Sequence, residues 1–194
     1  PATPRTTLRL RAEYIEDEEA RAKTLATLTE REEILSVTLR FARDEAADEK
    51  SRRTDLPSML QSLCDDFSNL GGVCRYSGPD RLIVNCRPTA IRRAMGNLIE
   101  NAIKFGDEAR VTLRQEQQSV TIQVDDRGPG IPEEKLEQVF TPFYRLEQSR
   151  SRETGGIGLG LALARTLIHA HGGELSLENR QDGGLRATIK LHEY

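Results

Sequence analysis

Apolar residues recur along this chain at two different periods. Leu25, Leu28, Leu35, Leu39 and Ala42 fall on a heptad seam whose one polar member is Glu32. That seam predicts a helix that packs against another helix. Leu8, Leu10 and Ile15 begin an earlier apolar pattern, cut by Glu16-Asp17-Glu18-Glu19, acidic groups that suit the first turn of a following helix. Residues 1–50 therefore read as an antiparallel helical hairpin with a tight acidic turn. One hairpin leaves its stripe uncovered. Two of them joining into a four-helix bundle, a homodimer, is the expected burial, and packing on the chain's own second domain is the alternative.

Residues 44–54 are almost wholly charged or small and read as a linker or frayed helix end. A second domain, residues 51–194, follows. Residues 56–67 have helical spacing that Gly71-Gly72 breaks. Residues 73–76 and 82–86 are short strand candidates around the turn Ser77-Gly78-Pro79-Asp80. Pro88 opens a helix expected to run to about Phe105. Three later stretches alternate strictly: Val111 and Leu113; Val120, Ile122 and Val124; Ala187, Ile189 and Leu191. A period of two with one polar face predicts a sheet covered on one side and wet on the other. The predicted fold class is α/β, a two-layer sandwich of mostly antiparallel sheet and helices, preceded by the hairpin and without a βαβ rhythm.

Composition narrows the function classes. The 194 residues carry a net charge of −3, with 37% hydrophobic and 30% charged residues. No global basic field exists for nucleic acid, so none is expected as a partner. No apolar run approaches the ~18 residues of a membrane span, and no charged-then-apolar leader suggests a signal peptide. Cys64, Cys74 and Cys86 match no paired metal spacing and read as reduced packing residues of a cytoplasmic protein.

Three constellations carry chemistry. On the helix opened by Pro88, Asn97, Asn101 and Lys104 fall at i, i+4 and i+7, one stripe beside the apolar face of Ile91, Ala94, Met95, Leu98 and Ala102. Asparagine costs roughly half a kcal/mol against alanine inside a helix. An amide oxygen suits Mg²⁺ that carries phosphates, and a lysine one turn on can neutralise them. A solvated polar face fits the same residues. At the end of the middle alternating strand, Asp126-x-Gly128-x-Gly130 sets a carboxylate before bare backbone. Such a carboxylate can accept a hydrogen bond from an exocyclic amine such as adenine's; an ordinary Gly-Pro turn is the bland reading. Residues 155–162, Gly-Gly-Ile-Gly-Leu-Gly-Leu-Ala, run into an apolar helix that ends near His171. A helix start of that kind offers free amides to a polyphosphate. It lacks the Lys-Ser/Thr of a P-loop. The connection from Ile131 to Thr154 has the length of a functional lid. Residues 132–138 are expected to form a short helix within it, with Phe140, Phe143 and Tyr144 stapling it down.

In this order, Asn-Leu-x-x-Asn-Ala-x-Lys, Asp-x-Gly-x-Gly, Phe-x-Pro-Phe and Gly-x-Gly-x-Gly-Leu resemble the ATP-binding domain of sensor histidine kinases, the Bergerat fold shared with gyrase, Hsp90 and MutL. The resemblance covers about residues 56–191. It implies ATP and Mg²⁺ as cofactors, with Asn101 the metal ligand and Asn101, Lys104 and Arg145 the catalytic residues. It implies nucleotide contacts at Asn97, Phe105, Asp126, Gly128, Gly130, Ile131, Tyr144, Gly156, Gly158, Leu159, Gly160, Leu161 and Thr188. It implies γ-phosphoryl transfer to a histidine and relay to an aspartate on a response-regulator receiver domain, in a cytoplasmic chain or the cytoplasmic part of an inner-membrane sensor. The segment Thr3-Pro4 with Leu8-Arg9-Leu10-Arg11 resembles the stretch just after the acceptor histidine, which would then lie before Pro1. His169 and His171 read as helix-end residues instead. Cys86-Arg87-Pro88 departs from the family, which more often has an acidic residue before that proline. The competing readings are another ATPase or serine kinase of the same fold, and a non-catalytic dimeric nucleotide-binding scaffold.

Overall fold

The computed structural model describes residues 49–116, 119–146 and 158–192. These lie within one compact unit, Arg43–Tyr194. The expected hairpin and heptad seam, the Thr3-Pro4 segment, and residues 147–157 with Gly156 lie outside the described residues.

The unit opens with strand β1, Arg52–Asp55, and helix α1, Leu56–Asn69. Leu56, Leu60, Leu63 and Cys64 recur at helical spacing and are all buried, which is what turns this amphipathic segment onto the core. β1 corrects the linker reading of residues 44–54. It pairs antiparallel with β3, Ile83–Cys86, in a two-stranded ribbon. Its Arg-Arg-Thr-Asp sequence has no apolar signature, and the available edge of β3 supplies the structure instead. Strand β2, Val73–Ser77, lies between α1 and β3.

Helix α2, Pro88–Gly106, buries Ile91, Ala94, Met95, Leu98, Ile99 and Ala102, and ends on Asp107 in the left-handed region, φ 61°. Strands β4, Glu108–Glu116, and β5, Ser119–Asp125, follow as an antiparallel pair. After the lid connection come helix α3, Gly160–Ala170, and strands β6, Glu174–Asn179, and β7, Leu185–His192.

The five-stranded sheet has the order β2-β4-β5-β7-β6, antiparallel except for the parallel pair β2–β4. Parallel neighbours need a long crossover, and here β3 and α2 form it. Val111, Leu113, Val120, Ile122, Val124, Ala187, Ile189 and Leu191 all enter the core with the helices. The alternation therefore assigns the covered face correctly, and the fold is the expected α/β sandwich. One local expectation fails. Residues 132–138 form no single helix but two 3₁₀ turns, Glu133–Lys135 and Gln138–Phe140, the second burying Val139 and Phe140. Cys64, Cys74 and Cys86 are buried and free. Among the described residues no helix is long and apolar enough to cross a membrane.

Candidate nucleotide site

Helix α2 is the wall on which the three constellations meet. The Nδ2 of Asn97 donates to the Arg93 carbonyl one turn back at 2.9 Å, which ties down one end of the amide and leaves Oδ1 for another partner. The start of α3 lies directly against it. A methyl group at Gly160 would sit 3.3 Å from Asn97 Oδ1 and 3.6 Å from Asn101 Nδ2. The stripe on α2 and the end of the glycine loop are thus neighbours. One turn further, Lys104 Nζ lies 5.2 Å from the centroid of the Phe105 ring, and Phe105 is 42% exposed. An exposed aromatic at that place is free to stack on a planar ligand.

The C-terminal end of α2 backs the strand-end carboxylate. Asp126 is only 7% exposed. Its Oδ1 accepts the Gly128 N–H at 2.8 Å and the Leu185 N–H at 2.9 Å. Its own N–H donates to the Leu185 carbonyl at 3.0 Å, and its carbonyl accepts from the Arg180 guanidinium at 2.7 Å. A buried carboxylate is costly unless hydrogen-bonded, and these bonds hold one oxygen rigidly. Oδ2 has no partner among the described residues. The approach needs bare backbone on both sides. A Cβ at Gly106 would lie 2.6 Å from Asp126 Cβ, and one at Gly128 would lie 2.5 Å from the Phe105 carbonyl oxygen.

Both ends of the lid connection are anchored. Asn179, at the end of β6, grips Ile131 on both backbone groups, accepting from its N–H at 2.8 Å and donating to its carbonyl at 2.6 Å. The next anchor is the turn that buries Phe140. Arg165 on α3 lies 4.4 Å from the Phe140 ring and pairs with Glu137 at 2.6 Å. At the far end the Phe143 N–H donates to the Gly158 carbonyl at 2.9 Å, and the Tyr144 carbonyl would be 3.1 Å from a Cβ on Gly158. Gly158 has φ +78°, a backbone that disfavours any side chain there. Leu159, the residue before α3, offers no side-chain cap, so among the described residues the first-turn amides of Gly160 and Leu161 are left to an anion.

A further anchor sits at the N-terminus of α2. There the Glu49 carboxylate accepts the Thr89 N–H at 2.9 Å and the Ala90 N–H at 3.0 Å. Burial acts to raise the Glu49 carboxyl pKa, yet the hydrogen bonds from Thr89 and Ala90 and the charge of Arg52 hold it below the ordinary carboxylate value. Arg87, the residue before α2, donates to the Glu49 carbonyl at 3.0 Å and also to the carbonyl of Ala170, the last residue of α3. The acidic group that Cys86-Arg87-Pro88 lacks is therefore supplied by Glu49, from 39 residues upstream of the proline (88 − 49).

The structure thus brings together Asn97, Asn101, Gly160 and Leu161 on one side, and Phe105, Asp126 and Gly128 on the other, with Gly130, Ile131, Tyr144, Gly158 and Leu159 at the lid's two ends. Arg145 is half-buried next to Tyr144. Thr188 is not part of this assembly. It pairs with Gln123 on the sheet face opposite to Ala187 and Ile189, and Leu185 is the β7 residue bonded to Asp126. His171 closes α3 as expected of a helix-end residue, and burial beside Arg87 lowers its pKa. Asn179 and Glu49 were not singled out in the sequence. Each works through a partner about 40 or more residues away, and no local spacing marks it.

Residues 86–194 match the family described as histidine kinase-, DNA gyrase B- and HSP90-like ATPase. The chain belongs to that family. Its relatives within the family include sensor histidine kinases. It is 40% identical over 189 residues to the sensor histidine kinase GtrS of Pseudomonas aeruginosa, covering 97% of this chain and 39% of that protein. It is 42% identical over 108 residues to the sensor histidine kinase CpxA of Escherichia coli, covering 55% of this chain and 24% of that protein. Among solved structures, the nucleotide-free catalytic domain of histidine kinase ThkA superposes with a TM-score of 0.64 at 25% identity, over 74% of this chain and 96% of that one. The ATP-binding domain of PrrB from Mycobacterium tuberculosis does so with 0.62 at 27% identity, over 75% and 98%.

Proposed function

We propose that this chain is the catalytic part of a protein-histidine kinase, binding Mg-ATP between α2, α3 and Asp126 and transferring the γ-phosphoryl to a histidine imidazole. The observation that carries the reading is the contact of Asn97 and Asn101 with Gly160 on the same helix whose end backs Asp126. One rod therefore presents a metal-side face and a base-side face to a single elongated ligand.

The Oδ2 of Asp126 accepts a hydrogen bond from the adenine amine, and Phe105 lies along the base. Asn101, with Asn97 beside it, would hold Mg²⁺. The donor set fits such an ion. Neutral amides suit a cation that arrives already neutralised by phosphates, and among the described residues no cluster of three or more His, Cys, Asp or Glu exists to hold a bare metal. The ion's contribution is to neutralise charge that builds on the transferring phosphoryl group. Lys104 and Arg145 add positive charge there, and the open amides of α3 hold the phosphate chain. Catalysis of this kind is mostly positioning and charge neutralisation.

The same reading divides the chain into a dimerisation hairpin, residues 1–50, and the catalytic domain, residues 51–194. It makes the chain the cytoplasmic part of a sensor, with a response-regulator receiver domain as the partner that takes the phosphoryl group. Calorimetric titration with Mg-AMPPNP tests the first step, with binding that Asn101→Ala and EDTA both weaken. Acid-labile phosphate on a histidine, in a chain extended upstream, tests the second. A flat titration removes the nucleotide reading. Nucleotide binding without phosphohistidine would leave a non-catalytic scaffold.

A further inference from the structure

The helices cover one face of the sheet, and the other presents polar side chains that are half-buried or exposed apart from Thr121. The register lays these side chains out as a grid. One row runs Arg75, Arg110, Asp125, Arg186, Glu178 across β2, β4, β5, β7 and β6. The next runs Ser77, Thr112, Gln123, Thr188, Ser176, every member a hydroxyl or amide. The third holds Arg114, Thr121, Lys190 and Glu174. A cavity of about 590 Å³ opens on the β2–β4–β5–β7 part of this grid, with Arg75, Arg110, Arg114 and Arg186 in its lining.

The charges on this face do not close on themselves. Asp125 gives both oxygens to Arg186, at 2.7 Å each. Glu108 shares one oxygen between Arg110 at 2.9 Å and Arg127 at 2.7 Å. That leaves Arg75 and Arg114 exposed, with no ion pair among the described residues. Arg75 is the in-register neighbour of Arg110 across strands about 5 Å apart, and like charges directly opposite are destabilising. Thr121, 5% exposed in the same row as Arg114, keeps a hydroxyl with no partner. The β2–β4 side is thus a donor-rich positive surface, and Glu174 and Glu178 put negative charge on the far edge.

We propose that this face, centred on Arg75, Arg110 and Arg114, is a docking surface for an acidic protein segment that lays several carboxylates along the hydroxyl row. Three features select that occupant. The face is open and does not enclose a ligand as small-molecule sites do. The glutamates at the β6 edge repel a continuous polyanion such as a nucleic acid, whereas a protein segment can end or change charge there. Arginine is among the side chains enriched at protein interfaces, and Arg75 and Arg114 present theirs with no ion pair among the described residues. The surface lies on the opposite side of the sheet from α2 and α3, so it stands or falls independently of nucleotide binding.

The test uses the whole chain and a ten-residue oligoglutamate peptide as probe, followed by amide NMR at low ionic strength. Shifts are expected at Arg75, Ser77, Arg110, Thr112 and Arg114, and they fade as salt is added. Arg75→Ala with Arg114→Ala should weaken the peptide about tenfold, the sum of two modest exposed contacts. The same double variant should keep or slightly raise the melting temperature, because it removes the Arg75–Arg110 repulsion, and should keep the wild-type Mg-AMPPNP affinity, which shows that the fold and the other site are intact. Unchanged peptide affinity in the double variant, or shifts confined to α2 and α3, would overturn the proposal. So would tripolyphosphate or a single-stranded oligonucleotide binding this grid in preference to the peptide.

Discussion

Replacing Asp126 by asparagine separates the structural use of that side chain from its use in recognition. Oδ1 already accepts two backbone amides, from Gly128 and Leu185. An asparagine oxygen can sit in the same place and accept both, so the local fold survives. Trading charge-assisted for neutral hydrogen bonds should cost stability only about 1 kcal/mol. The other side-chain atom changes from an acceptor to an NH₂ donor, and it is the one without a protein partner. Against adenine's amine, donor then meets donor. A buried, mismatched polar pair costs roughly 1–3 kcal/mol, or about 5- to 150-fold in Kd. Guanine carries a carbonyl where adenine carries the amine, so the variant should lose selectivity for adenine over guanine beyond its general loss of affinity. Calorimetry with Mg-AMPPNP and Mg-GMPPNP, alongside a thermal melt, reads all three quantities. A folded Asp126→Asn protein that binds Mg-AMPPNP within about twofold of wild type, with the adenine preference unchanged, would refute the reasoning.

Three further outcomes are expected. Gly106→Ala places a methyl group 2.6 Å from Asp126 Cβ and 2.7 Å from the Gly128 nitrogen; it should destabilise by about 1–3 kcal/mol in urea unfolding, although alanine is the better helix former, and a stabilised variant would contradict the packing. Asn179→Ala releases both backbone bonds to Ile131; faster amide exchange at Ile131 and weaker nucleotide binding should appear together, and unchanged exchange would show the clamp to be idle. Glu49 has its folded pKa lowered from the ordinary value of 4.5, so its contribution is present above that value and is lost as pH falls through the folded pKa. Urea unfolding should therefore show wild type more stable than Glu49→Gln near neutral pH, with the gap closing in acid below about pH 4.5; a gap that widens in acid would reverse the assignment.

How much of this was legible in the sequence depended on whether an element's signal was local. Strands β5 and β7 showed their covered face because Val120, Ile122 and Val124, and Ala187, Ile189 and Leu191, alternate with polar residues on a sheet wet on one side. Helix α2 was readable end to end, since Pro88 starts it and its apolar residues keep a helical period. The parallel pairing of β2 with β4 was not readable, because Val73–Ser77 has the same composition whichever way its neighbour runs. Strand β1 was hidden for a related reason, its charged residues being strand only because β3 offers an edge. Leu175 and Leu177 of β6 alternate with polar residues in the same way, so that strand too carries a local signal. Parity separates Thr188 from the helices: a strand inverts its facing at every residue, and Thr188 falls between Ala187 and Ile189, which enter the core. The lid turn at residues 132–138 failed because burying Val139 and Phe140 against α3 outweighs helical continuity in so short a segment.

Glu49 and Arg87 give the fold a mechanical property. Glu49, the first described residue of this unit, closes the first turn of α2 with its carboxylate, and its carbonyl shares Arg87 with the last carbonyl of α3. A tug on the polypeptide ahead of Glu49 is therefore felt by both helices at once, with no loop in between to absorb it. Linkage makes the traffic two-way. Whatever ligand stiffens those two rods tightens the grip on the entering chain by the same free energy with which that grip favours the ligand.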